Sequence, residues 1–367
     1  MKNFLIKLII LSGILIGLPF LGVMLASLPV NRYLEFPPET QYIDHAPFSW
    51  IAFTGYSLFI LAIILPIFIR ILSLRKDKRT ASTPADFYKF PWWGWLGIIT
   101  GLIAWVLAWT RFPWFAGFQP HTFTPLWLSF IFVINALTYK RTGKCMIINR
   151  PKYFIMLFPV SAAFWWLFEY LNRFVQNWQY VGVHFSSLEY FFYATISFST
   201  VLPAVLGTRE LIQSFSWLNK KCNNLITIGI FQSKPMAMAV LIASSAGIAL
   251  VGIWPNYLFS LLWISPLLII VSLQILSGGN HVFSDIARGD WRLVISSALA
   301  ALFCGWFWEM WNYFSLAKWI YSVPFVHRFE IFEMPVLGYA GYLPFGLECS
   351  LIGEILSRIS QPLRNTG

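Results

Sequence analysis

Two glutamates stand where an ionised side chain is unfavourable. Glu309 lies within CGWFWEMWNYF (304–314), at the end of a long apolar run, and Glu169 lies within FWWLFEY (164–170). A charge inside or at the edge of a bilayer costs roughly 2.5–3.5 kcal/mol on insertion scales. Both glutamates also fall at the C-terminal end of a predicted helix, where the dipole disfavours an anion. Each must therefore pair with a cation, bind a metal or keep a proton. Arg173 follows Glu169 by four residues and is placed to pair with it; Tyr313 holds that place after Glu309. Asn172 and Asn312 follow their glutamates by three, and residues three apart share a helix face. This reading makes Glu169 and Glu309 the acid or base, with Asn172 and Asn312 orienting them.

The surroundings are duplicated. WWLFEYLNRFVQNWQY (165–180) and GWFWEMWNYFSLAKWIY (305–321) both read E-x-x-N-x-F and then W-x-Y. Trp178, Tyr180 and His184 follow the first glutamate; Trp319, Tyr321 and His327 follow the second. Glu189 and Glu330 come next, near the predicted start of the following helix. Two such copies facing one another would form a pocket of acids and rings, with Glu189 and Glu330 as auxiliary groups. The tryptophans, tyrosines and histidines, with Trp308, would contact the substrate. Each part also has an ordinary reading. Trp and Tyr anchor helices at membrane interfaces, and Glu189 completes an S-x-x-E capping box with Ser186. Glutamate and histidine together can hold zinc, manganese or iron. No H-x-x-x-H or H-E-x-x-H spacing occurs, and the four cysteines are scattered singly. No metal and no cofactor is assigned.

The elements that carry these residues follow from composition. Charged residues make up 11%, hydrophobic ones 58%, and mean hydropathy is +0.66, too little charge to cover a soluble surface. The expected fold is all-α: a polytopic helical membrane protein with about ten spans. They fall near 4–28, 49–72, 91–110, 123–139, 153–171, 186–206, 234–253, 256–277, 292–311 and 334–357. The first segment, basic and then apolar without an A-x-A site, reads as an uncleaved signal anchor.

The offset of 140–141 residues also relates the Leu-Pro pairs at 202–203 and 343–344, and TPLWL at 124 with SPLLI at 265. It predicts two parallel four-helix units, 91–206 and 234–357. Two N-terminal helices and a basic loop (1–90) precede them, a basic linker (207–233) joins them, and a short tail (358–367) follows. The net charge of +11 is read as loop charge rather than a nucleic-acid surface, since no such motif is present. RKDKR (75–79), the 140–152 and 207–224 stretches, and Arg288 with Arg292 alternate to one side. That side is predicted cytoplasmic with both termini, in a bacterial inner membrane. The 207–224 stretch is also suited to lie as an amphipathic surface helix.

NWQYVGVHFSSLEYFFYATISF (177–198) resembles the integral membrane lycopene cyclase domain, through Trp178, Tyr180, Leu188 and Glu189. Trp319, Tyr321, Phe329 and Glu330 match the same pattern more loosely. Ser187 and Tyr190 stand where that family has a proline and a second acid. ALFCGWFWEMWNYF is similar to the tryptophan-glutamate helix of membrane terpenoid cyclases, through Trp308 and Glu309. The resemblance implies paired small helical units that cyclise an isoprenoid by protonating an alkene. The expected function is thus a membrane enzyme acting on an isoprenoid or other lipid, cyclase- or isomerase-like. A transporter or channel with a pseudo-symmetric acidic site, and a membrane assembly factor, are the alternatives.

Overall fold

The computed structural model describes residues 9–73, 88–229 and 232–360. RKDKR and the two chain ends lie outside these residues, so the charge reading that uses them stands on sequence alone. The chain is mainly helical, with ten main helices: α1 (Ile9–Leu25), α2 (Trp50–Ser73), α3 (Trp92–Trp109), α4 (Gln119–Thr142), α5 (Pro151–Asn172), α6 (Ser187–Gln213), α7 (Lys234–Leu250), α8 (Leu261–Leu276), α9 (Arg292–Tyr313) and α10 (Tyr342–Ser360). Short strands β1 (Trp178–Val181), β2 (Lys318–Tyr321), β3 (Glu330–Ile331) and β4 (Met334–Pro335) lie in the connections.

Six helices, α2 to α6 and α9, are long and apolar enough to cross a membrane; α1, α7 and α8 are apolar but shorter. The tenth, α10, carries Glu348, Glu354 and Arg358. Two expected boundaries move. The span placed at 186–206 runs on to Gln213 with only a turn at 199–200. Residues assigned to the linker therefore belong to α6, where Gly207 and Thr208 are buried. Part of the predicted surface helix is thus core, and only Ser216–Lys221 forms a separate short helix. The span placed at 334–357 starts at Tyr342, because the β3–β4 hairpin and a 3₁₀ turn (Val336–Gly341) occupy its beginning.

The order α3–α4–α5–β1–α6 recurs as α7–α8–α9–β2–α10. Across the two sets α6 packs on α9, α10 on α5, and α6 on α10. Exchanging the sets maps these contacts onto one another. The strands do the same: Trp178 pairs with Tyr321, Gln179 with Ile320 and Tyr180 with Trp319, antiparallel. Such a pairing is unchanged by a two-fold axis through the Gln179–Ile320 pair. Small residues let the helices close up. A Cβ on Gly346 would lie 2.1 Å from the Ser297 carbonyl oxygen, which sets the α9–α10 approach.

Polar contacts gather the loops at two ends. At one, Arg141 Nε donates to Ser214 Oγ (2.8 Å), Arg292 Nη1 to Asn219 Oδ1 (2.9 Å) and Lys221 Nζ to the Ile71 carbonyl (3.1 Å). At the other, Asn256 Nδ2 donates to the Asp44 carbonyl (3.1 Å), Ser49 N–H to Phe325 (2.9 Å) and Arg111 to Phe314 (2.8 Å). The described basic stretches, around Arg141, Lys221 and Arg292, therefore share one end, and the W-x-Y strands lie towards the other.

All four cysteines are buried, so introduced thiols can report sidedness without background. With the basic end cytoplasmic, Phe118→Cys, at a site 68% exposed, reacts with an impermeant maleimide in intact cells. Lys144→Cys then reacts only after permeabilisation. Labelling of the Lys144 site in intact cells would reverse the orientation.

Candidate functional site

The W-x-Y spacing has a direct structural meaning. In a strand, residues two apart point to the same face, and in β1 both side chains turn toward Glu169. Its Oε1 accepts from Trp178 Nε1 (3.1 Å) and Tyr180 Oη (2.6 Å). A third donor comes from its own helix, one turn back: Trp165 Nε1 at 2.9 Å. In the second set, Glu309 Oε1 accepts from Tyr321 Oη (2.7 Å), which in turn accepts from Trp319 Nε1 (2.8 Å). The other donor to Glu309 is Tyr342 Oη at 2.6 Å. Burial, and then Glu169 beside it, push the Tyr180 phenol well above its usual range. Tyr321 is affected in the same way by burial and Glu309. Both phenols therefore keep their protons and act as donors.

The asparagines act one step back from the acids. Asn172 Nδ2 donates to the Trp178 carbonyl (2.8 Å), and its Oδ1 accepts from the Asn177 and Trp178 N–H groups (2.8 and 3.4 Å). Asn312 Nδ2 donates to the Trp319 carbonyl (2.7 Å) and its Oδ1 accepts from the Trp319 N–H (2.9 Å). Each carboxamide thus clamps the strand tryptophan onto the end of the helix. They position the donors rather than the glutamates, which corrects the role read from the three-residue spacing.

Arg173 does not pair with Glu169. Its guanidinium donates to the carbonyls of Arg32 and Glu35, while its own carbonyl accepts from Tyr42, so it ties the 31–45 loop to the rim. Glu189 is exposed and spent in the capping box: its Oε2 accepts from Ser186 N–H (2.9 Å) and Ser186 Oγ (2.7 Å). Glu330 is exposed on β3 and pairs with His327 at 3.2 Å. Neither acid, nor His327, lines the cavity described next, whereas His184 does. Among the described residues no group of three or more His, Cys, Asp or Glu side chains could hold a metal ion.

The two glutamates differ in access. A cavity of about 1590 Å³ opens beside β1, and Glu169, Asn172, Trp178, Tyr180, Trp308 and Trp319 line it. Glu169 is 5% exposed; all three donors bind Oε1, and Oε2 is not among the sealed, unpartnered oxygens. Oε2 is thus the oxygen open to the cavity. Glu309 is 0% exposed, with Oε2 sealed and without a partner, behind Tyr321 and Tyr342. Tryptophans bridge the two sets: Trp165 and Trp308 have ring centroids 6.2 Å apart, and Trp263 lies 5.6 Å from Trp178. Reasoning from the duplication missed Trp165, Tyr342 and Trp263. Trp165 carries a legible signal, its i−4 spacing from Glu169. Tyr342 has only an indirect one: Gly305 stands where the first copy has Trp165, and a Cβ there would come 2.4 Å from the Tyr342 ring.

No protein-family model, curated protein or solved structure matches this chain.

Asn312→Ala leaves the half-buried Trp319 N–H and carbonyl without their side-chain partner, at up to about 1–3 kcal/mol for each unsatisfied group. Its thermal unfolding in detergent should fall well below that of Glu330→Gln, a surface change expected to cost about 0.5 kcal/mol or less. Equal stability of the two variants would remove the clamp.

Proposed function

We propose that the chain is an enzyme embedded in a bacterial inner membrane, with both termini cytoplasmic. It acts on an isoprenoid or other lipid by carboxylic acid/base chemistry in the half of the bilayer away from the basic end. The observation that carries this reading is Glu169: one oxygen held by three aromatic donors, the other open to an apolar, ring-lined cavity.

Protonating an alkene requires a carboxylic acid in a dry site. As the proton leaves Oε2, negative charge spreads onto Oε1, where the two indole N–H groups and the Tyr180 phenol are already aimed. Preorganised donors at the point where charge develops are a large source of catalysis. The faces of Trp178, Trp263 and Trp308 stabilise the positive charge left on the substrate. Loss of a proton from the neighbouring carbon back to Glu169 completes a redox-neutral isomerisation or cyclisation. Glu309, sealed from the cavity, serves in this scheme as the buried tether that holds Tyr321 and Tyr342 in place. Asn172 and Asn312 position the strands, and His184 marks the rim; Glu189 and Glu330 take no part.

Transport is the second reading, favoured by one observation: the cavity lining continues from His184 at the strand end to Trp291 at the basic end. Against it, Glu348, the other deeply buried acid of the second set, does not line that path. It accepts a hydrogen bond from the Leu267 N–H (3.0 Å) behind the wall.

Glu169→Gln keeps the shape of the side chain and removes the transferable proton. Conversion of lipids extracted with the purified protein, followed by mass spectrometry, should fall about 10²–10⁴-fold. Glu309→Gln should reduce thermal stability more than turnover. Unchanged conversion by Glu169→Gln, or proton flux through wild-type protein in liposomes without lipid conversion, would favour the second reading.

A further inference from the structure

Helix α2 is fastened at its two ends and unsupported between them. Near its start, Phe53 and Tyr56 pack on the main core, and Ser49 N–H donates to the Phe325 carbonyl. Near its end, Ile67 and Ile71 join the cluster around Leu218 and Trp291, and Lys221 Nζ caps the Ile71 carbonyl. Among the described residues, none from 57 to 66 packs against a core cluster. Yet the inward face is sharply defined. Tyr56, Phe59, Ile60, Ile63, Ile64 and Ile67 line the cavity at the i, i+3, i+4, i+7 spacing of one helix face. Ile63 on this face is 53% exposed and Leu61 on the opposite face 52%. Ile60 on the inward face is half-buried, but Phe59 and Ile63 there are as exposed as Leu58 and Leu61 on the side turned away.

The facing wall is apolar too. Between Val294 and Leu302, α9 contributes only Val, Ile, Ala and Leu side chains to the cavity. The two supports, Tyr56 and Ile67, stand eleven residue steps apart, or about 17 Å at 1.5 Å per residue. The stretch between them runs from the Glu169 end towards the basic end. We infer that this slot holds a single extended hydrocarbon chain of a lipid, lying parallel to α2, whose polar or unsaturated end reaches Glu169. The chain completes the packing that α2 lacks.

A peptide is a poor occupant, because no polar side chain of these walls could satisfy its backbone, and unsatisfied amides in hydrocarbon are strongly disfavoured. Water is excluded for the same reason: a buried water needs two to four polar partners. The placement of the reacting end rests on the proposed role of Glu169; the chain-binding slot itself does not.

Photoreactive diazirine alcohols test the slot, with eight- and sixteen-carbon chains added to the full-length protein in detergent and adducts mapped by mass spectrometry. The sixteen-carbon probe should label Ile60, Ile63 or Ile64 at least tenfold more than the eight-carbon probe, which cannot span the slot. Ala298→Trp fills the slot from the α9 side and should abolish that inward labelling, while labelling at Leu61 and Leu65 persists. Persistence of Leu61 labelling, with an unchanged gel-filtration profile, separates a filled slot from a misfolded variant. Inward labelling that survives Ala298→Trp, or that does not depend on chain length, would overturn the proposal. The two readings fail separately. If Glu169→Gln still converts lipid while Ala298→Trp loses the label, the acid chemistry falls and the slot stands. If Glu169→Gln is inactive while Ala298→Trp retains the label, the slot falls alone.

Discussion

A carboxylate at the C-terminal end of an apolar helix has no free backbone donors beside it. The helix backbone there offers only carbonyls, and the bilayer side offers nothing. Beyond the Trp165 indole one turn back in the first set, donors have to be brought in by the chain that follows. Much of the molecule away from the basic end meets this requirement. The polypeptide leaves α5 and α9, turns back as β1 and β2, and places the tryptophan and tyrosine of W-x-Y beside the acid. An isolated four-residue strand would not hold that position. The asparagine one turn after each glutamate takes up the tryptophan's backbone N–H and carbonyl, and the other edge of each strand pairs with its counterpart. The demand of each buried carboxyl for donors thus accounts for the asparagine, the strand, the spacing of its rings and the contact between the two sets of helices.

The two sets use the same device and diverge in detail. In the first, Trp165 fills the space one turn before the glutamate and supplies a donor. In the second that place is Gly305, and the ring of Tyr342 enters from α10 with its hydroxyl on Glu309. The connection after the strand differs as well: a helix from Ser187 in one copy, a hairpin and 3₁₀ turn in the other. The outcome is one acid open to the cavity and one sealed from it. The open acid keeps three donors on a single oxygen, an arrangement suited to charge that comes and goes. The sealed acid holds two tyrosines and lies deep in the aromatic core.

The long cavity depends on a helix that the duplicated landmarks do not include. Its inner face is as apolar as its outer one, so in sequence α2 is simply a hydrophobic span. Only its separation from α8 and α9, bridged at the two ends, makes it one wall of a slot.

From sequence alone, the membrane class was legible in composition, and the helices in their apolar runs. The paired Glu-Asn and W-x-Y landmarks, and the capping role open to Glu189, could be read from spacing, because each is a local rule of helix or strand geometry. The gathering of the described basic stretches at one end was legible in the alternation of loops between successive spans. What could not be read was which groups meet across the fold. Arg173, four residues from Glu169, is placed to pair with it by helix spacing, but the carbonyls of a loop 138 and 141 residues earlier claim its guanidinium. Glu189 and Glu330 share the offset of the duplication, yet both end at the surface. Tyr342 reaches Glu309 only because a glycine 37 residues earlier leaves room for its ring. Hydrogen-bond donors are chosen by proximity in space, and a buried oxygen takes the nearest ones whatever their distance along the chain. Periodicity fixes the face on which a residue lies; tertiary packing decides what that face meets.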